Sequence, residues 1–383
     1  MAKTDEGHKL TDKELSKLER RITKLYREAG KELQGTIDAY FEQFKKRDEE
    51  MKALIGTVQN GKEWTEQDYK LWRLNQIGRG ERYQAMRDKV AHRVTDANAV
   101  AVSYTNDATP GIYSLNRNYA AYTIESVVGD VGFDLWDEQT VKRLVVEQPG
   151  LMPYYPKNRA LKRGIDLAYG KKQITASVTS SILQGKSIKH MADDLQKRIT
   201  TMSRNSAIRT ARTAVTGAQN AGRMDSYAAA EKIGIKLKKQ WLATLDNRTR
   251  HSHAMLDGEK VDQDKKFSNG CRFPGDPQGP AWEIYNCRCT LVADVDGVDT
   301  STGQRRAKNP VTGETEVISD MTYSEWAEQK QAEDAAAWNT YMKKGRNLST
   351  DTKQWQEYKS VLGNKVPNTV EKFQNLKYNE PDK

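Results

Sequence analysis

The sequence predicts a mainly helical protein of the α+β class. It reads as long N-terminal helices, a helical middle region, a small α+β module and an extended polar tail. Three observations predict this. Apolar residues recur at three- and four-residue spacing through the N-terminal half and the middle of the chain, the mark of amphipathic helices. The spacing turns to alternation at Lys236 and again at Ile284, the mark of strands. The composition is 37% hydrophobic and 30% charged with mean hydropathy −0.85, which suits solvated helices and a poorly ordered tail better than one deep core.

The elements follow in order. Residues 11–52 read as the first helix, opened by a Thr11-x-x-Glu14 capping box. Leu15, Leu18, Ile22, Leu25, Leu33, Ile37 and Phe41 form its stripe, which suits either a hairpin with the next helix or a second subunit. Leu15, Leu18, Ile22 and Leu25 are taken as the partner-binding face. Residues 64–145 read as helical, broken at Thr109-Pro110-Gly111. Pro149-Gly150 and Pro153 to Pro156 mark a hinge. Three helices follow in 157–232: one ending at Gly185, one over 187–200 and one over 204–232. Strands are expected from Lys236 to Thr244 and from Ile284 to Val292, with the small sheet held against the third helix. Linker chemistry follows Asp296, then a Thr322-x-x-Glu325 capping box and a surface helix. The expected domains are therefore 1–150, 151–295 and 296–383.

At 383 residues the chain has room for two or three domains. Its formal charge of +10 suits a nucleic-acid partner or simply a soluble surface. Three cysteines cannot all pair internally, the opening MAKTDEGHKL lacks a signal peptide's apolar stretch, and no apolar run reaches membrane-spanning length. These point to a reducing cytoplasm and no membrane anchor.

Chemistry-bearing residues concentrate in 240–291. His253, Cys271, Cys287 and Cys289 supply four donors of the Cys₃His kind, with zinc as the candidate ion. The Cys-x-Cys spacing requires a bend, because residues i and i+2 of a regular strand stand several ångströms apart. The competing reading is three thiols packed as small hydrophobes. Asp246, Arg248, Arg250, His251, His253 and Asp257 crowd together, but no phosphate loop, nucleophile elbow or H-E-x-x-H pattern accompanies them. A turn-capping Asp246 and paired arginines are the simpler reading. Lys197, Arg204, Arg209 and Arg212 are candidate contacts to DNA phosphates, against a rival role in salt bridges with Asp193, Asp194 and Asp225.

The runs Ala211-Arg212-Thr213, Asn220-Ala221-Gly222-Arg223, Trp241-x-Ala243-Thr244-x-Asp246-x-Arg248-Thr249-Arg250-x-x-His253, Leu256-Asp257-Gly258, Pro274-Gly275-Asp276 and Asn286-Cys287-Arg288-Cys289 resemble, in order, the phage Mu F-like domain. That domain marks the minor capsid, or head morphogenesis, proteins of tailed bacteriophages. The likeness covers about residues 175–293. It implies a non-enzymatic protein of the virion head, assembled in the host cytoplasm. The implied partners are the portal protein, the capsid interior or scaffold, and packaged double-stranded DNA, with a role in DNA delivery for some members. Many relatives carry a His-Pro pair where this chain has Ile284-Tyr285. A metal-assisted nuclease centred on His253 and Asp257 is the alternative reading, and a general DNA-binding protein a third.

Overall fold

The computed structural model describes residues 5–147, 167–295, 297–300 and 303–379. The expected hinge at 149–156 lies outside them. Helices dominate: α1 (Glu6–Glu42), α2 (Lys45–Ala53), α3 (Glu66–Gln76), α4 (Glu81–Val128), α5 (Glu138–Glu147), α6 (Leu167–Leu183), α7 (Ile188–Lys197) and α8 (Ser203–Lys232), the last joined to α7 by a π turn over Arg198–Met202. A two-residue ribbon, β1 (Val58–Gln59) with β2 (Lys62–Glu63), precedes α3.

Two helix boundaries differ from the sequence reading for identifiable reasons. α1 starts upstream of the Thr11 box because Asp5 caps it, accepting the His8 amide at 2.8 Å, and Thr11 is buried inside the helix. α4 runs through Pro110. The proline cannot donate to the carbonyl of Asn106, and the Thr109 hydroxyl donates to that oxygen instead, at 3.3 Å.

The chain divides into two compact units, each assembled from separated stretches. One comprises Thr11–Ile112 and Glu138–Ala218. Its core joins Leu33, Ile37 and Phe41 of α1 to Tyr83, Met86 and Val90 of α4, and to Ile174, Ile182, Met191 and Leu195 of α6 and α7. Leu18 and Ile22 are also buried and Leu15 and Leu25 half-buried, so the stripe assigned to a partner is spent inside the chain.

The other unit comprises Met1–Leu10, Tyr113–Asp137 and Gln219–Lys383. Its sheet has the order β4-β3-β5-β6, all antiparallel, built from β3 (Leu237–Leu242), β4 (Lys260–Asp262), β5 (Thr290–Val295) and β6 (Val298–Asp299). β3 and β5 pair from Leu237↔Val295 to Leu242↔Thr290. Trp241, Leu291, Ala293 and Val295 are buried. The second strand begins six residues later than expected. Ile284 instead ends the short helix α10 (Ala281–Ile284), which follows α9 (His251–Leu256), and the cysteine run precedes β5.

The tail is folded, contrary to the expected extended segment. A hairpin, β7 (Gln304–Lys308) with β8 (Thr315–Ser319), leads to α11 (Tyr323–Glu333), α12 (Ala335–Leu362) and α13 (Val370–Asn379). α11 opens with the predicted Thr322–Glu325 capping box. Trp326 packs edge-on against Trp338 at 5.2 Å and against Tyr323 at 5.3 Å, over Leu245 and Ala307. These few aromatic anchors, at helical spacing, supply the apolar area that average composition conceals.

Candidate metal centre and basic face

His253 lies on α9, and Cys287 and Cys289 lie in the irregular run before β5. Their ligand atoms, one from each residue, all fall within 4.8 Å of one another. Nδ1 of His253 is 3.3 Å from the Cys289 sulfur and 3.7 Å from that of Cys287. Cys287 and Cys289 lie outside the regular strand, where pairing begins only at Thr290, and Asn286 just before them turns the chain with a left-handed φ of 54°. Exposures of 2%, 1% and 3% for His253, Cys287 and Cys289 seal the group from solvent. Trp241 closes one side, its ring 5.2 Å from that of His253.

The far side of the imidazole meets a carboxylate. His253 Nε2 is 2.8 Å from Oε2 of Glu283, off the line of a directed hydrogen bond. Ser252 Oγ donates to the same oxygen at 3.0 Å, and Asn269 Nδ2 at 3.4 Å. Burial raises both thiols of the group. Cys287 stays well above the ordinary range, whereas hydrogen bonds from Cys287 and His253 overcome burial and hold Cys289 well below it.

Cys271 does not join the group. It is buried elsewhere in the loop: its amide donates to Asn269 Oδ1 at 3.0 Å, and its sulfur would lie 2.5 Å from a Cβ placed on Gly279. Burial, with the charges of Asp276 and Glu283, pushes its thiol up to about 12. Of the four candidate ligands, three are therefore brought together and Cys271 stands apart from them.

The remaining polar residues of the segment are architectural. Asp246 is buried and receives both terminal nitrogens of Arg288 and, at 2.9 Å, the Arg248 amide. Arg250 donates to the carbonyls of Glu283 and Tyr285. Asp257 accepts the amides of Ala243 (2.7 Å) and Tyr323 (2.6 Å) and two Arg305 nitrogens (2.7 and 3.0 Å). With its acceptors engaged, Asp257 has no lone pair directed to a reaction, and it does not share partners with His253. The nuclease reading gains no support.

Of the proposed DNA contacts, Lys197, Arg209 and Arg212 are exposed and Arg204 half-exposed. Arg212 pairs with Glu19 of α1 at 2.5 Å, and Arg204 donates to Asn205. The rival acids pair elsewhere, Asp194 with Lys186 and Asp225 with Arg117. Sequence reading missed a larger basic feature. Lys13, Lys17, Arg20, Lys24, Arg27 and Lys31 are all exposed on α1. Their alternating steps of four and three keep them within an arc of about 80° and along about 27 Å of helix. Leu18, Ile22, Ala29 and Leu33 occupy the opposite face and are buried. The same periodicity that revealed the apolar stripe would have revealed this row.

Fold and site together define a mainly helical α+β protein whose small sheet carries a sealed His-Cys-Cys corner. Residues 172–292 match the family described as Phage Mu protein F like protein. The chain is 28% identical over 332 residues to Minor head protein GP7 of Bacillus phage SPP1, covering 86% of this chain and 97% of that protein. Residues 172–292 thus carry a phage Mu F-like domain, and the chain over most of its length is similar to a phage minor head protein, which supports a place among phage head morphogenesis proteins. It is also 34% identical over 158 residues to the NAD(+)–arginine ADP-ribosyltransferase EFV of Enterococcus faecalis, covering 40% of this chain but 31% of that protein. A third relative, the uncharacterized protein YqbB of Bacillus subtilis, is 33% identical over 126 residues, 31% of this chain and 40% of that protein. No solved structure matches. No helix among the described residues is long and apolar enough to cross a membrane.

Proposed function

We propose that this chain is a minor head protein of a tailed phage, a structural component of the virion head that enters the procapsid during assembly in the host cytoplasm. It sits beside the portal and lays the basic face of α1 along packaged double-stranded DNA. The observation that carries the head role is the likeness to a minor head protein over 97% of that protein's length. The basic row supports the DNA contact, because phosphate binding requires cations along a line and no base-reading element. Lys197 and Arg209 add to it. Portal docking falls to a surface other than the Leu18 and Ile22 stripe, which the chain's own core consumes. A part in DNA delivery follows if the protein leaves the head bound to the genome.

The test is retention on duplex DNA as salt is raised. Log affinity should fall linearly with log salt, with a slope of roughly −0.9 for each phosphate engaged. Replacing Arg20, Lys24, Arg27 and Lys31 by glutamine should flatten that slope while the helical signal stays unchanged. Weak binding without salt dependence, or an unchanged slope in the variant, refutes the DNA contact. For the portal, co-expression with the portal, scaffold and major capsid proteins should yield procapsids containing this chain, and its absence from them refutes the docking role.

A further inference from the structure

We propose that His253, Cys287 and Cys289 bind one zinc ion that pins α9 to the chain leading into β5, with Glu283 orienting the histidine. The geometry fits the ion. Bonds of about 2.3 Å to sulfur and 2.05 Å to nitrogen at tetrahedral angles place those donor atoms about 3.6 Å apart. The two nitrogen–sulfur distances, 3.3 and 3.7 Å, bracket that value. Few other uses of the side chains need such convergence. Three free-thiol or imidazole groups packed merely as hydrophobes have no reason to aim their only donor atoms at one point, nor to distort the backbone at Asn286 to do so.

The surroundings fit as well. Nδ1 is the nitrogen facing the sulfurs, and Nε2 is the one facing Glu283. A carboxylate behind a ligating histidine fixes its tautomer and ring plane and raises its basicity. Glu283 is itself held by Ser252 and Asn269. The cysteine run is held by the two-nitrogen grip of Arg288 on Asp246 and by Arg250 on the carbonyl of Tyr285. The donors are therefore positioned by groups that do not themselves ligate. Two thiolates and an imidazole suit zinc better than the hard ions that prefer oxygen.

In the binding step, two zinc–sulfur bonds and one zinc–nitrogen bond replace bonds from the hydrated ion to water, one water stays as the fourth ligand, and two protons pass from the ligating side chains to solvent. No oxidant or reductant takes part. The role is structural, because the site is sealed and no polar channel is needed for it to act.

The test uses the full-length chain purified without chelator. Metal analysis should find about one zinc per chain. Cobalt added to stripped protein should give sulfur-to-cobalt absorption, and X-ray absorption should show two sulfurs in the shell. Cys271→Ser should keep both signals, whereas Cys287→Ser and Cys289→Ser should lose the sulfur absorption. Glu283→Gln should weaken cobalt binding by about tenfold or more. The wild-type measurements stand even if a cysteine variant fails to fold. Protein free of zinc whose stripped form gives no cobalt absorption at equimolar metal overturns the proposal. A shell of three sulfurs, or loss of binding in Cys271→Ser equal to that in Cys289→Ser, overturns the three-ligand assignment. Unchanged affinity in Glu283→Gln overturns the role given to that carboxylate.

Discussion

Asn220 of α8 accepts the Leu291 amide on Oδ1 at 3.0 Å and donates through Nδ2 to the Cys289 carbonyl at 3.2 Å and the Pro274 carbonyl at 3.1 Å. One fully buried amide thus ties the helix, the first turn of β5 and the loop to a single point. Arg223, one turn later, donates to the Leu291 carbonyl at 2.7 Å and pairs with Asp5 at 2.8 Å. The Asn220-Ala221-Gly222-Arg223 run is therefore a clamp on the strand that carries the cysteines.

Asn220→Ala should destabilise this unit by about 2–4 kcal/mol, since it strands a buried amide and two carbonyls without partners. Urea unfolding followed by tryptophan fluorescence and circular dichroism is the measurement. A loss under 1 kcal/mol, within the range of an ordinary surface substitution, would show that water or relaxation replaces the clamp.

Gly222 lies where α8 meets α4. A Cβ there would come 2.4 Å from the Tyr113 carbonyl oxygen and 3.1 Å from the Arg117 amide. Both are backbone atoms that cannot swing aside. Gly222→Ala, although it favours helix, should therefore destabilise by about 2 kcal/mol or more. The variant's midpoint in denaturant decides this, and a gain in stability would mean that the helices separate freely at this point.

How much of this was legible in the sequence depends on the kind of signal. The three middle helices, the first strand, the Thr322 cap and the Gly185 terminus rest on local rules, and their boundaries fall within a few residues of the structure, apart from the expected start of the first middle helix at 157, which lies outside the described residues. The interruption at Pro110 was misread because proline's cost was assigned without asking what could satisfy the freed carbonyl of Asn106. The tail was misread because its polar average hid four or five aromatics that meet only once folded. At the site, residue type alone singles out His253, Cys287 and Cys289, the three side chains that converge. Cys271 was included because sequence distance cannot say which way a sulfur points, and Glu283 was missed because a carboxylate behind a histidine has no fixed spacing from it. The basic row on α1 repeats at the same three- and four-residue spacing as the apolar stripe on the opposite face, so it too is legible in the sequence.

In the tail, Asp351 is buried on α12 and accepts hydrogen bonds from Gln374 (2.7 Å), Lys377 (2.8 Å) and Tyr378 (3.0 Å) of α13. Burial alone would raise its carboxyl, but these donors hold it below the usual carboxylate range. A depressed carboxyl stabilises the fold above its unfolded value of 3.8 and loses that contribution as pH falls through the folded value. Asp351→Ala should release α13 at neutral pH, seen as proteolytic cleavage between 363 and 379 that the native chain resists. Equal resistance in both proteins would refute the assignment of Asp351 as the latch.

Lys239 gives a pH dependence of the same sign in an alkaline window. It points from β3 into the unit with none of its surface exposed, and its Nζ donates to the Gln263 carbonyl at 2.9 Å. Burial, aided by the nearby Arg272 charge, lowers its ammonium from the ordinary 10.5 to about 8. Between those values the unfolded chain holds a proton that the folded chain has released, so this residue makes stability rise with pH from about 8 to 10.5. Below that window the buried charge costs about 3 kcal/mol relative to high pH. Lys239→Met should therefore raise stability near pH 7 and remove this part of the rise at alkaline pH. The comparison to make is the difference between variant and native unfolding free energies at pH 7 and at pH 10, which cancels the titration of other groups. A difference that stays constant across that interval would show Lys239 charged and paired in the folded chain throughout.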